Sequence, residues 1–193
     1  KNGEAATLDG IGQIYSDTGQ PKQALEYYQQ ALPLHRQTGN KQFEANTLDN
    51  IGLIYSHTGQ PKPALEYHQQ ALALYKAIGD KNGEAATLTN IGRIYSDMGQ
   101  NQIAPSHYRQ ALALFKATEA RAEEADTLFH LSLTEMRQRR FAEAQRDAQQ
   151  SVALYETIRS DLEGYSEAKI AFLASRLPTY YHLVDLLLKR GNT

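Results

Sequence analysis

Apolar and polar residues follow a helical period along this chain. Leu8, Ile11, Gly12 and Tyr15 fall three and four residues apart and form one non-polar stripe. Past a Gly19-Gln20-Pro21 punctuation, a second stripe runs through Ala24, Tyr27 or Tyr28, Ala31, Leu32 and Leu34. Both stripes return at a fixed interval. Residues 11–32 read IGQIYSDTGQPKQALEYYQQAL, residues 51–72 IGLIYSHTGQPKPALEYHQQAL, and residues 91–112 IGRIYSDMGQNQIAPSHYRQAL. Residues 1–40 and 41–80 agree at 26 of 40 positions. Such a period marks a solenoid, in which each unit buries its apolar face only against its neighbours.

The pattern predicts an all-α chain with four helical hairpins, at 1–40, 41–80, 81–120 and 121–160. Gly12, Gly52 and Gly92 lie within an apolar stripe, where glycine costs a helix about 1 kcal/mol relative to alanine. Its repetition predicts close approach of two helices there. Gly19, Gly59 and Gly99 suit a left-handed helix end, and Pro21 and Pro61 suit the first turn of the next helix. Pro33, inside a second helix, predicts a local bend near 29–33. Pro105 predicts a later helix start in the third unit.

In the fourth unit Ser132 replaces the stripe glycine, Glu135 the tyrosine, and Arg139-Arg140-Phe141 the Gly-Gln-Pro turn. Arg137, Arg139 and Arg140 have Glu135, Glu143 and Asp147 close by, which predicts a solvated, internally paired surface. Residues 161–193 break the period. They predict a helix through Ser175, a break before Pro178 and a second helix over 179–189, a terminal hairpin. Tyr180, Leu183, Leu186 and Leu187 would supply its apolar face.

Leu8, Ile11-Gly12, Tyr15, Ala24, Tyr28 and Ala31 together resemble the tetratricopeptide repeat, with leucine where that repeat usually has tryptophan. The longer period resembles the arrays of kinesin light chains, of cell-polarity adaptors, and of bacterial proteins in which repeats precede a caspase-like peptidase. Arg159, Leu162, Phe172, Ala174-Ser175, Tyr180, Leu183, Asp185 and Leu187 also resemble the segment joining repeats to that peptidase. The peptidase's His and Cys pair is absent from this chain. The resemblance implies a right-handed superhelical solenoid acting as a protein-interaction module, in the adaptor or sensing half of a larger bacterial protein.

Composition narrows the choices. The 20 basic and 22 acidic residues leave a net charge near −2, with both signs scattered through every unit. That pattern argues against nucleic acid and against an anionic membrane as partner. No apolar run is long enough to span a bilayer, and no signal peptide opens the chain. With no cysteine there is no disulfide framework, and a reducing, cytoplasmic setting fits. His35, His57, His68, His107, His130 and His182 form no metal-helix motif, and no cofactor is expected. His68 and His107 stand where other units carry tyrosine and are read as packing variants. No catalytic constellation gathers in one place, so the chain is read as non-enzymatic.

In tetratricopeptide proteins the first helices line a concave groove, and that resemblance selects the candidate binding residues. They are Asp9, Gln13 and Asp17 in the first unit, with Ala6 and Gly10 beside them. Asn46, Asp49, Asn50, Leu53 and His57 follow in the second, and Thr89, Asn90, Arg93 and Asp97, with Ala86, in the third. These positions carry most of the first-helix differences between units. Asn50 and Asn90 can each donate and accept, which suits an extended peptide backbone. Arg93 is the only cation among them, so a neutral or basic segment is expected rather than an acidic tail. The chain opens at a repeat boundary, since residues 1–8 recur verbatim at 81–88. It reads as a piece of a longer array lacking a polar cap, so the stripe around Leu8, Ile11 and Tyr15 is expected to face outward and to self-associate. The rival readings are a structural or self-associating spacer, and the regulatory part of a peptidase.

Overall fold

The computed structural model describes residues 2–161 and 166–190, and those residues form nine helices. They are α1 (Asn2–Asp17), α2 (Pro21–Thr38), α3 (Lys41–His57), α4 (Pro61–Ile78), α5 (Lys81–Asp97), α6 (Ala104–Thr118), α7 (Arg121–Arg137), α8 (Phe141–Asp161) and α9 (Ser166–Arg190). The backbone divides into two compact units, 1–94 and 95–193, with the boundary inside α5.

The first unit holds the hairpins α1–α2 and α3–α4 and most of α5. Each first helix ends as its glycine predicts: Gly19 has φ 73°, and Gln20 N–H reaches back to the Tyr15 carbonyl at 2.8 Å. Pro21 and Pro61 then open α2 and α4. The stripe glycines sit where predicted. A Cβ at Gly12 would lie 3.0 Å from the Tyr28 ring, and one at Gly52 would lie 2.8 Å from the His68 ring. Ala24, Tyr28, Leu32, Ala45, Leu48, Ile51, Ile54, Ala71 and Tyr75 form the buried core. One ion pair recurs across successive hairpins, Arg36–Glu44 at 2.8 Å and Lys76–Glu84 at 3.8 Å. Pairs this exposed contribute at most about 1 kcal/mol each, so the core carries the stability.

α1 differs from α3 and α5 in its outward stripe. Leu48, Ile51 and Ile54 are buried, as are Leu88, Ile91 and Ile94. Leu8 and Ile11 are only half-buried, and Ile14 is 63% exposed. The stripe expected to face outward is thus uncovered only in part at Leu8, Ile11 and Tyr15, and the most exposed residue near it is Ile14, outside that expectation. Pro33 lies within α2, which runs unbroken from Pro21 to Thr38. Both Pro33 and Gln29, whose carbonyl loses its partner, are exposed, so water can take the missing bond.

In the second unit α6 begins at Ala104 with Pro105 in its first turn, as expected. Hairpin α7–α8 persists despite its drift, with Arg139 taking the turn glycine's left-handed conformation at φ 61°. Ser132 sits in the glycine position and donates to the Ala144 carbonyl at 2.6 Å. The expected solvated pairing around Arg137 and Arg140 needs correcting at one residue. Glu135 is buried, 1% exposed, and Arg109 from α6 rather than a neighbouring surface charge bonds it, at 3.1 Å. Arg137 instead donates to the Ser96 hydroxyl at 2.8 Å.

The expected terminal hairpin is also corrected, because α9 is one helix with Pro178 inside it. Pro178 and Ala174, whose carbonyl loses its bond to the proline, are both exposed residues. On the other side Thr179, His182 and Leu186 are buried. His182 meets the Ser132 hydroxyl at 2.8 Å, Leu186 packs with Ala144 and Ala148, and Arg176 bonds Asp126 at 3.0 Å. These anchors lie on both sides of the proline and hold the helix continuous through it. Of the apolar face named from the sequence, Leu186 is buried and Tyr180 and Leu183 half-buried, whereas Leu187 is 46% exposed. Leu162 and the Phe172 side chain lie outside the described residues.

Candidate peptide-binding face

Direct ties set the first helices of the first unit side by side. Thr47 of α3 donates to Asp9 of α1 at 2.9 Å, and forty residues on Thr87 of α5 donates to Asp49 of α3 at 3.0 Å. Each aspartate also meets a buried histidine of a second helix, His35 on Asp9 at 2.6 Å and His68 on Asp49 at 2.7 Å. Asp9 and Asp49 are therefore tied into the scaffold. Their carboxylates space the first helices while keeping side-chain exposures of 19% and 14%. The sequence pattern placed them on a groove floor without showing these bonds.

Between α1 and α3 lies a shallow cavity of about 230 Å³, lined by Ala6, Asp9, Gly10, Gln13, Phe43, Asn46 and Asn50. Four of the predicted residues meet there: Asp9, Gln13, Asn46 and Asn50. Tyr28 donates to the Gln13 carbonyl oxygen at 3.0 Å, and Gln13 in turn donates to Asp17 at 2.7 Å. Tyr75 donates to the Asn46 oxygen at 2.8 Å, which leaves the Asn46 amide N–H₂ to face outward. Burial, reinforced by the charges of Asp9 and Asp17, pushes the Tyr28 phenol up to about 12. Tyr75 is raised as well, by burial first and then by Asp49 and Asp80. Both phenols stay protonated at neutral pH and act as fixed donors behind the face.

The remaining candidates are more scattered. Asn50, Leu53, Thr89, Asn90 and Arg93 are half-buried, and Thr89 donates to the Ala85 carbonyl at 3.1 Å. His57 is exposed at the end of α3 and lines a separate cavity of about 300 Å³ with Ser16, Gly19, Pro21, Ile54 and Thr58. Asp97 is exposed and belongs to the second unit. Sequence reasoning missed Phe43, which is 43% exposed and stacks on His35 with ring centroids 5.3 Å apart. The available signal was the break in the repeat: glycine occupies the matching positions 3 and 83. At Gly83 the room is taken by Tyr75, whose ring would come within 2.4 Å of a Cβ. Among the described residues no group of three or more histidines and carboxylates could hold a metal, and no helix is long and apolar enough to cross a membrane.

The tetratricopeptide repeat sequence profile matches residues 3–77, 43–117 and 83–157. The chain belongs to the tetratricopeptide repeat family. The family match consists of these repeats. No curated protein matches by sequence. Among solved structures, this tetratricopeptide chain is similar to BtubC (BKLC) from P. vanneervenii, at 18% identity and TM-score 0.73, covering 83% of this chain and 65% of that one. A putative kinesin light chain of Podosopora anserina with nearly identical repeats gives 19% identity and TM-score 0.71, covering 97% and 87%. The apo form of RapI gives 18% identity and TM-score 0.76, covering 97% of this chain and 51% of its own. At these identities the likeness establishes the tetratricopeptide fold alone.

Proposed function

We propose that the chain is a non-enzymatic interaction module that holds an extended peptide or protein segment against the face of α1, α3 and the first-unit part of α5. One observation carries this reading. At the α1–α3 cavity Phe43 and Asn46 depart from the residues that the first and third units share, Gly3 and Gly83 and Ala6 and Ala86, and Asn50 lines the same recess. Drift confined to a solvated surface would not need an aromatic ring and two amides together over a recess. Amides that donate and accept can pair with a strand-like backbone, and a half-exposed phenylalanine can take a side chain. Among the candidate residues of the first unit Asp9, Asp17 and Asp49 outnumber the one arginine, Arg93, so a neutral or basic segment is the proposed ligand. Replacing both Asn50 and Asn90 with alanine is expected to weaken a peptide selected from a random library by about 1–3 kcal/mol, with the melting temperature preserved. Unchanged affinity in a calorimetric titration would remove both residues from the site.

A second reading, self-association through α1, draws on the exposure of Ile14 beside the half-buried Leu8 and Ile11. Sedimentation at high concentration is then expected to show assembly that Leu8→Glu with Ile11→Glu abolishes. A monomer throughout would exclude it.

A further inference from the structure

Three units of this chain place a stacked ring pair between their two helices, and the fourth places two acids there. Tyr15 stacks on Tyr27 at 5.3 Å, Tyr55 on Tyr67 at 5.5 Å, and Tyr95 on His107 at 5.4 Å. The matching residues of α7 and α8 are Glu135 and Asp147. Two further changes accompany them. Arg109 stands where earlier units have Gln29 and Gln69, and Arg140 where they have Gln20, Gln60 and Gln100. Four charged residues thus replace four uncharged ones, and the fold brings all four to one place.

Glu135 is 1% exposed. One of its oxygens accepts from Arg109 at 3.1 Å, and the other is buried with no donor. The group within hydrogen-bonding reach is Asp147, itself a carboxyl, so two acceptors face each other. A proton between them supplies the missing donor and removes one of two like charges from a water-poor site. We infer that Glu135 and Asp147 share a proton and make hairpin α7–α8 a pH-responsive element, closed while the proton is held and loosened when it leaves.

The surrounding charges are consistent with this. Arg109 from α6 and Arg140 from the α7–α8 turn favour ionisation, and on α8 Arg146 does the same while Glu143 opposes it. Burial outweighs the arginines. It is the largest cause in holding Glu135 up to about 7, with Asp147 adding to it, and burial likewise raises Asp147. α9 packs on the same hairpin and brings His182, bonded to Ser132 one turn before Glu135, and the half-buried Asp185. On α7, Arg137 is engaged with Ser96.

A carboxyl raised in the folded state binds more protons folded than unfolded between its ordinary value of 4.5 and about 7. Stability of the hairpin therefore falls as pH rises through that window and is flat above it. The hairpin is also the bed of α9, through Ser132, Ala144 and Ala148, so its loosening reaches the last helix.

Hydrogen exchange of the full chain tests this, with α7 and α8 peptides normalised to α3 and α4 peptides in the same sample. Between pH 5.5 and 8 the normalised opening of α7–α8 is expected to rise about tenfold. Glu135→Tyr with Asp147→Tyr, which restores the ring pair of the other units, is expected to abolish that rise. If this variant does not fold, a carbon NMR titration of the unaltered chain decides, with the Glu135 carboxyl expected to titrate near 7. An unchanged ratio across the pH range, or a Glu135 midpoint in the ordinary carboxyl range, would overturn the inference.

Discussion

Replacing Gly52 with leucine is expected to destabilise the chain by about 3 kcal/mol, read from urea unfolding. A Cβ there would sit 2.8 Å from one ring atom of His68 and 2.9 Å from two others. The imidazole cannot easily retreat, being fully buried and held by Asp49 at 2.7 Å. Leucine must therefore part α3 from α4 or break that bond, and a broken bond leaves a buried polar ring without its partner. Gly10 provides the contrast. It lies in α1 with nothing within 4 Å of its added Cβ, so Gly10→Ala is expected to stabilise by about 0.5–1 kcal/mol. A Gly52→Leu protein as stable as the parent would show that the hairpin does not pack through this glycine.

Truncating Ile54 to alanine is expected to cost about 2–5 kcal/mol, while the same change at Ile14 should cost well under about 1 kcal/mol. Both isoleucines hold the same place in the repeat. Ile54 is 3% exposed within the core formed with Leu48, Ile51 and Tyr75, whereas Ile14 is 63% exposed. Removing the former leaves a cavity walled by packed neighbours, and removing the latter removes area that water already touches. Equal losses in thermal melts would mean that α1 is covered by something other than the described residues.

The hairpins were legible in the sequence because each was written several times. Gly12 with Tyr28, and Gly52 with His68, show why a costly glycine recurs: an aromatic ring lies against it. The turns at Gly19 and Gly59 and the starts at Pro21 and Pro61 follow from local backbone constraints that need no tertiary context. What the sequence hid depends on packing across elements. Pro178 reads as a breaker, yet anchors at Arg176 and His182 on either side of it, with Ala174 and Pro178 on the exposed side, keep α9 whole. Glu135 reads as a surface charge because nothing local reveals that α6 covers it with Arg109.

The candidate face was legible in part, for a similar reason. Variation within a constant frame singled out Asn46 and Asn50, and both line one recess. The same cue could not separate them from Asp9 and Asp49, whose bonds to Thr47 and Thr87 join residues thirty-eight positions apart in sequence. Phe43 escaped because it interrupts no apolar stripe and shows its role only when stacked on His35.

The most direct test of peptide binding at the α1–α3 face is an NMR titration of the labelled chain with the tightest peptide from a random library. The account predicts saturable shifts of the Gln13, Asn46 and Asn50 side-chain amides and of the Phe43 ring, with α2 and α4 little changed. Shifts confined to α2 and α4, or none at saturating peptide, would contradict it.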